Sequence, residues 1–182
     1  MKEVDEDQLV GMLADPARRR EAFSMVVNQY SEHLYWKIRR MVLSHDDAND
    51  VLQNTFIKAW NNLSNFQNKS RFSTWLYRIA INESLDFLRH QKLVQRVSAD
   101  EDESVSARLM ADDYFDGDET LVRLQEAIAS LPEVQRMVFN MRYYDQMKYS
   151  EMSLLLDTSE GALKASYHLA VKKIKDYFEK RE

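Results

Sequence analysis

Residues 157–175, DTSEGALKASYHLAVKKIK, carry the clearest helical pattern of the chain. Apolar side chains recur there at steps of three and four residues, as on one face of an α-helix; they are Leu163, Tyr167, Ala170, Val171, Ile174 and, just beyond, Phe178. The other side is small near its start and basic further along, with Gly161, Lys164, Ala165, His168, Lys172 and Lys175. The pattern predicts a helix over about 159–179 that packs by its apolar side.

Gly161 is unexpected in the first turns of such a helix. Glycine in a helix costs about 1 kcal/mol relative to alanine, and the 182-residue chain has only 3 glycines. Phosphates favour a helix N-terminus, and small side chains let the backbone come close to a groove. We interpret Gly161 as a position that gives up helix stability for close approach to a ligand.

A second short helix is predicted directly before this one, over about 150–156. Its apolar positions are Met152, Leu155 and Leu156, and Asp157-Thr158 leaves room only for a very short turn. Two helices joined this tightly, the second with a basic outer side, are typical of a helix-turn-helix that reads the major groove of DNA. A plain helical hairpin with a solvated lysine face is equally compatible with this segment.

The rest of the chain is predicted to be helical as well. Apolar residues recur with helical spacing over about 23–42, 47–63 and 74–92, and again from about 120. Few helix breakers interrupt them, because the chain has 3 Gly and 2 Pro. Asp15-Pro16 is read as the N-cap and first turn of the first of these helices, and Leu131-Pro132 as a helix boundary. The fold class is therefore all-α.

Charge divides this all-helical chain into two small domains joined by an acidic linker. Residues 100–119 hold nine acids and one base, a charge of −8, so the rest carries +3 although the total is −5. Such a stretch, without periodicity, is typical of a linker. We predict an N-terminal domain at 1–97, a linker at 98–119 and a C-terminal domain at 120–182. The net positive charge outside the acidic stretch indicates a nucleic-acid partner.

Several classes of protein are excluded. The absence of cysteine removes disulfides and cysteine-ligated metals, and it fits a reducing cytoplasm. No apolar run reaches the ~20 residues of a membrane span, and the acidic start resembles no signal peptide. The four histidines are scattered, and DDYFDGDE (112–119) lacks the EF-hand ligand at its third and twelfth positions. We therefore expect no enzyme activity, no metal and no cofactor.

The helix over 47–63 has an outer side that suggests a protein contact. Asp50, Gln53, Asn54 and Ile57 face away from its apolar stripe, and an isoleucine there is unusual. An ordinary polar face with one stray isoleucine is the competing interpretation, since single exposed apolar residues are common.

The loop after this helix, about 64–73, and the helix that follows mix aromatic and basic residues. Unpaired bases need flat faces to stack on and cations for their backbone, and this stretch offers both: Phe66, Lys69, Arg71, Phe72, Trp75, Tyr77, Arg78 and Arg89. Core packing of Phe72 and Trp75, with only the cations exposed, is the alternative.

Together these segments resemble a known family. DANDVLQNTFIKAWNNLSNF (47–66) and FSTWLYRIAINESLDFLR (72–89) are similar to the second conserved region of bacterial RNA polymerase sigma factors of the extracytoplasmic-function group. LPEVQRMVFNMRYYDQMKYSEMSLLLDTSEGALKASYHLAVKKIKDYF (131–178) is similar to their fourth region. The two stretches occur in the family's order and separation.

The resemblance implies a promoter-specificity subunit that is active in the cytoplasm. Its partners would be core RNA polymerase, through the clamp and the flap, and promoter DNA; whether an anti-sigma factor also binds stays open. The polymerase-binding set would be Asp50, Gln53, Asn54 and Ile57. The −10 element would meet Lys69, Arg71, Phe72, Arg78 and Asn82, with one base in a loop pocket. The −35 element would meet Ser159, Gly161, Lys164, Ala165, His168 and Lys172.

Three positions depart from the family pattern. An acid is common where Asn54 stands, a glycine where Asp157 stands and a base where Tyr167 stands. Aspartate tolerates the left-handed conformation better than most residues, so the turn at Asp157 is expected to survive. Tyr167 is predicted to face inward and to make no DNA contact.

Two other functions fit parts of the sequence. A stand-alone helix-turn-helix regulator would bind duplex DNA without polymerase, and a helical adaptor would bind only proteins. The first leaves the 47–63 surface and the aromatic–basic loop unexplained.

Overall fold

The computed structural model describes residues 4–97 and 119–180, which are helical with no strand in either range. The N-terminal helices are α1 (Glu6–Ala14), α2 (Arg19–Val42), α3 (His45–Asn61) and α4 (Phe72–Val97), with a 3₁₀ turn at Leu63–Asn65. The C-terminal helices are α5 (Glu119–Ala129), α6 (Glu133–Tyr143), α7 (Tyr149–Leu156) and α8 (Glu160–Glu179). The all-α prediction is confirmed. The predicted acidic linker falls almost entirely on residues 98–118, outside the described residues.

Two compact units make up the described residues. The first ends at Gln91 and the second begins at Lys92, with the short Leu43–His45 segment grouped with the second. Neither described range holds a helix that is long and apolar enough to cross a membrane.

The N-terminal unit contains a helix that sequence periodicity missed. The carboxylate of Asp5 caps α1 by accepting from the backbone N–H of Asp7 at 3.0 Å. Leu9, Met12 and Leu13 from α1 are buried. They lie three and four residues apart, so one side of α1 packs inward. Sequence analysis had noted only that this start of the chain is acidic and had predicted no helix there.

The predicted helix start at Asp15-Pro16 is shifted. Asp15 does accept from the Ala17 N–H at 3.0 Å, as a capping side chain does. Residues 15–18 form a separate turn, however, and α2 begins only at Arg19. The guanidinium of Arg19 donates to the Leu13 carbonyl at 3.0 Å, which ties the start of α2 to the end of α1.

The core of the N-terminal unit is drawn from all four of its helices. The side chains of Leu9, Val26, Ile38, Val51 and Leu76 are almost fully buried. Two polar groups inside this core are satisfied locally, because the hydroxyls of Thr55 and Ser84 donate to the carbonyls one helical turn earlier.

The C-terminal unit closes around a smaller core. Its buried members are Ala127, Ile128, Leu131, Phe139, Ala170 and Ile174. One polar bond on its periphery links α8 to α5, since the Tyr177 hydroxyl donates to Glu126 Oε2 at 2.8 Å. Arg136 is also buried, and its guanidinium donates to the Ala129 carbonyl at 2.9 Å at the end of α5. Burial lowers the pKa of Arg136 from its ordinary value.

Candidate nucleic-acid interface

The outer face of α3 collects the predicted polymerase-binding residues. Asp50, Gln53, Asn54 and Ile57 are all exposed and follow one another at helical spacing on one side of the helix. Ile57 is 57% exposed, so it makes little contribution to the core of this unit. The opposite side of α3 is anchored by Ala48, Val51, Thr55, Phe56 and Ala59. The helix thus presents a mixed amide, acid and apolar surface to solvent.

The loop between α3 and α4 is shaped by local hydrogen bonds. The Asn62 side chain donates to the Lys58 carbonyl at 2.8 Å, and the Asn65 side chain donates to Asn62 Oδ1 at 3.2 Å. Asn68 adopts a left-handed conformation with φ of 54°, which asparagine tolerates. Beyond it, Lys69 and Arg71 are exposed. The loop therefore brings both predicted cations to the surface.

Phe72 requires a correction to the predicted −10 set. Its side chain is 1% exposed, and its ring packs against Phe66 and Trp75 with centroids 5.3 and 5.4 Å away. A base cannot stack on a ring that is enclosed in this way. Phe72 packs in the core next to the loop, in agreement with the core-packing alternative.

A groove of about 480 Å³ opens between α3 and α4 and contains one of the predicted DNA-contacting residues, Asn82. Its wall also includes Trp75 and Ile79, which are half-buried. The other lining residues are Lys58, Asn62, Asn65, Glu83, Leu85, Asp86 and Arg89. The lining combines an aromatic face with amides and charged groups, which suits the face and the edge of a nucleobase.

Sequence reasoning missed part of this groove. Lys58, Asn62 and Asn65 line it but were not among the predicted −10 residues. The asparagines at positions 61, 62 and 65 were visible in the sequence, but the side chains of Asn62 and Asn65 could be assigned to one site only once α3 and α4 were placed together. Arg78, Lys69 and Arg71 are exposed, but they lie outside the lining of this groove.

Two ion pairs lie in the same groove. Lys58 donates to Glu83 across the gap between α3 and α4, and Arg89 pairs with Asp86 at 2.9 Å within α4. The hydrogen bond to Glu83 holds the pKa of Lys58 above its ordinary value. Because the lining contains two cations and two carboxylates, the groove is close to neutral.

The exposed side of α8 matches the predicted pattern. Ser159 caps the helix by accepting from the Ala162 N–H at 3.3 Å. The remaining predicted contact residues are all exposed: Gly161, Lys164, Ala165, His168 and Lys172. The inward side holds Leu163, Ala170 and Ile174, which are buried. Tyr167 turns inward as predicted and stacks on Phe139 with centroids 5.8 Å apart.

The turn before α8 is as short as predicted. Asp157 ends α7 with φ of 50° and ψ of 45°, the left-handed conformation expected for it. The start of α7 is fixed in turn by the Glu151 carboxylate, which accepts from the Lys148 N–H at 2.9 Å.

Tyr149 connects α7 to the outer side of α8 and was not predicted as a site residue. The Lys164 ammonium lies 5.5 Å from the centroid of its ring, and the Arg142 guanidinium lies 5.2 Å from it. Lys164 also pairs with Glu160 at 3.5 Å. The aromatic ring and the carboxylate thus orient Lys164 beside the N-terminus of α8.

Within residues 4–97 and 119–180, no group of three or more His, Asp or Glu side chains is placed to hold a metal ion.

Both halves of the chain match established family models. Residues 26–94 match sigma-70 region 2, and residues 121–174 match sigma-70 region 4. The first range contains the α3 face and the groove, and the second contains α7 and most of α8.

Individual relatives place the chain more narrowly. The ECF RNA polymerase sigma factor SigW of Bacillus subtilis is 30% identical over 158 residues, which is 82% of this chain and 84% of SigW. The ECF RNA polymerase sigma-E factor of Escherichia coli (strain K12) is 31% identical over 159 residues, 80% of this chain and 81% of that protein. The chain belongs to the ECF family of RNA polymerase sigma factors.

Solved structures agree on the fold. The sigma factor RpoE of Bartonella quintana, in complex with the anti-sigma factor NepR, superposes with a TM-score of 0.70 at 21% identity, covering 86% of this chain and 96% of RpoE. CnrH, in complex with the cytosolic domain of CnrY, gives 0.68 at 20% identity, covering 97% and 99%.

Family membership establishes the role of the chain. It is a promoter-specificity subunit that binds core RNA polymerase and directs transcription initiation. Sigma factors are regulatory subunits rather than enzymes. The alternative of a stand-alone helix-turn-helix regulator is not favoured.

Proposed function

We propose that the α3 face docks on the clamp of core RNA polymerase. Ile57 supplies an apolar contact that docking would bury, and Asp50, Gln53 and Asn54 supply polar partners around it. All four are exposed, so a partner can reach them on the free chain. The family resemblance adds the flap as a second contact on the enzyme.

We propose that the groove between α3 and α4 holds an unpaired base of the −10 element. The lining of this groove is the main observation in support of the proposed −10 residues. Trp75 offers an apolar face, while Asn62, Asn65 and Asn82 offer donors and acceptors for a base edge. Lys69 and Arg71 on the adjoining loop, with Arg78 on α4, follow the phosphate backbone. Stacking of about 1–3 kcal/mol per base offsets the cost of unpairing.

We further propose that α7 and α8 act as a helix-turn-helix on duplex DNA of the −35 element. The N-terminus of α8 brings Ser159 and Gly161 close to the phosphates. Lys164, Ala165, His168 and Lys172 face base edges and backbone along the same side. The left-handed Asp157 keeps the turn short enough for both helices to approach one groove.

The remaining partners follow from the relatives. RpoE was solved in complex with the anti-sigma factor NepR, and CnrH in complex with the cytosolic domain of CnrY. We propose that this chain also binds an anti-sigma factor, which would hold it inactive. We also propose that it acts in the cytoplasm with the polymerase and has no catalytic activity of its own.

A reconstituted holoenzyme tests these assignments. Core polymerase with and without the chain would transcribe fragmented genomic DNA, and the 5′ ends of the transcripts would be mapped. New start sites that share −10 and −35 sequences are expected only with the chain present. Transcripts that start at the same positions with core enzyme alone would contradict the proposal.

A further inference from the structure

Lys58 and Glu83 form an ion pair within the groove between α3 and α4. Lys58 lies on α3 and Glu83 on α4, 25 residues apart, and each side chain contributes to the groove lining. The two partners differ in exposure: the side chain of Lys58 is 53% exposed, whereas that of Glu83 is 11% exposed. The carboxylate is therefore the fixed partner and the lysine the mobile one.

Lysine is long and flexible, with about 2 kcal/mol of rotamer entropy when it is unrestrained. A free ammonium at the edge of a nucleic-acid groove is drawn to phosphates, which carry the full charge of the strand. A phosphate contact carries no sequence information. The position of the ammonium therefore decides whether Lys58 contributes to affinity alone or also to base discrimination.

We propose that Glu83 is a positioning residue that holds the Lys58 ammonium inside the groove, where it donates to the edge of an inserted base instead of to passing phosphates. This role rests on the proposed function of the groove as a −10 base site. The pairing leaves the groove near neutral, which suits an uncharged heterocycle. The same hydrogen bond to Glu83 raises the pKa of Lys58.

Salt dependence separates this role from a merely structural one. Each phosphate that a lysine neutralises on single-stranded DNA steepens the slope of log K against log salt by about 0.7. Glu83→Gln releases Lys58 while preserving the size of the side chain. The variant is expected to bind random-sequence single strands more tightly than wild type and with a slope steeper by ~0.7. Loss of structure alone would weaken binding instead.

The measurement uses holoenzyme and two fluorescent probes. One is the non-template −10 oligonucleotide of a mapped promoter, and the other is a random-sequence pool of equal length. Each is titrated at several KCl concentrations. For Glu83→Gln, the preference for the −10 probe over the pool should fall by about tenfold, the effect of losing one hydrogen bond to a charged group. Unchanged preference and slope would overturn the proposal.

Lys58→Gln supplies a second test that does not depend on the folding of the Glu83 variant. If Glu83 already holds Lys58 away from phosphates, this variant loses preference for the −10 probe but keeps the wild-type salt slope on the random pool. A slope shallower by about 0.7 would mean that Lys58 neutralises a phosphate in the wild type, which contradicts the proposal. In the Lys58→Gln background, Glu83→Gln should cause no further loss of preference.

The wild-type holoenzyme tests the base site separately from the role of Glu83. Equal affinity of the wild type for the −10 probe and the pool would overturn the base site itself, and the role of Glu83 with it. A preference in the wild type that persists in Glu83→Gln would overturn the role of Glu83 alone.

Discussion

The carboxylate of Glu6 accepts two hydrogen bonds from Ser73, one from the hydroxyl at 2.9 Å and one from the backbone N–H at 3.3 Å. Glu6 begins α1 and Ser73 lies in the first turn of α4, 67 residues later in the chain. A carboxylate at this place satisfies an N–H that has no partner within its helix, and it also interacts favourably with the helix dipole. The helix that sequence analysis missed therefore fixes the start of the helix that carries the groove.

Glu6→Ala is expected to destabilise the N-terminal unit by about 1–2 kcal/mol, because it removes a charged acceptor from a partly buried N–H and hydroxyl. Thermal unfolding monitored by circular dichroism measures the loss, and hydrogen exchange at Ser73 locates it. Glu32→Ala, at an exposed site on α2, is the control and should have little effect. Equal unfolding temperatures for the two variants would contradict the role of Glu6.

Asp50→Lys is expected to weaken binding to core polymerase by roughly tenfold, or about 1.4 kcal/mol, without loss of helicity. The change reverses a charge on the exposed α3 face and leaves the buried side of the helix untouched. Fluorescence titration of labelled chain with core enzyme measures the affinity. Glu32→Lys makes the same charge change on α2 and should bind normally; wild-type affinity in Asp50→Lys would remove the residue from the clamp surface.

Gly161→Ala is expected to act in opposite directions on stability and on DNA binding. A Cβ at position 161 would meet no atom within 4 Å, so alanine fits and should stabilise α8 by up to about 1 kcal/mol. The added methyl group should nevertheless weaken binding of the holoenzyme to −35 duplex, since it stands where the backbone approaches DNA.

Gly11→Ala is the matched control for this experiment, because a Cβ there also meets no atom within 4 Å and α1 is helical around it. It should stabilise the chain and leave −35 affinity unchanged. If Gly161→Ala bound −35 duplex as well as Gly11→Ala does, close approach at Gly161 would be the wrong explanation for the glycine.

Lys164→Ala is expected to reduce affinity for −35 duplex by about 1–3 kcal/mol if the lysine contacts a base, with the loss confined to cognate sequence. Tyr149 and Glu160 orient the ammonium, so its loss removes a preformed contact. Lys173→Ala removes the same charge from the same helix about 180° away, at 3.6 residues per turn. A uniform small loss in both variants would indicate general charge attraction instead of recognition.

Asp157→Gly is expected to keep or raise the stability of the C-terminal unit, by up to about 1 kcal/mol, because glycine adopts the left-handed conformation without a steric penalty. Asp157→Val should lower it by a similar amount. Lys173→Gly, at an exposed position inside α8, is a control of opposite sign and should destabilise the helix by roughly 0.5–1 kcal/mol. Chemical denaturation gives the free energy of unfolding of each of the three variants. A loss of stability in Asp157→Gly would contradict the left-handed conformation at this turn.

Much of the fold was predictable because its determinants are local. The helices near 47–63, 74–92 and 159–179 were recognised from spacing that each segment carries within itself. The left-handed turn at Asp157 followed from the backbone preference of that one residue. The exposed set on α3 and the exposed set on α8 were likewise visible as helix faces.

Phe72 and α1 show where local information ends. An aromatic residue among cations suggests stacking on a base, yet the rings of Phe66 and Trp75 enclose Phe72. The acidic start of the chain hid a helix whose three buried side chains become apolar contacts only against the rest of the unit. The enclosure of Phe72 could not be read from spacing, since burial depends on which surfaces meet, and the three apolar residues of α1 form too short a pattern to stand out among the acids around them.

The sequence by itself determined the helical class, the separate recognition segments and the sides of α3 and α8 that face solvent, because periodicity, capping and turn preference act over a few residues. Tertiary structure alone decided the groove. Lys58 and Glu83 become partners only when α3 and α4 pack together, and packing is a property of both helix surfaces and of neither sequence segment alone.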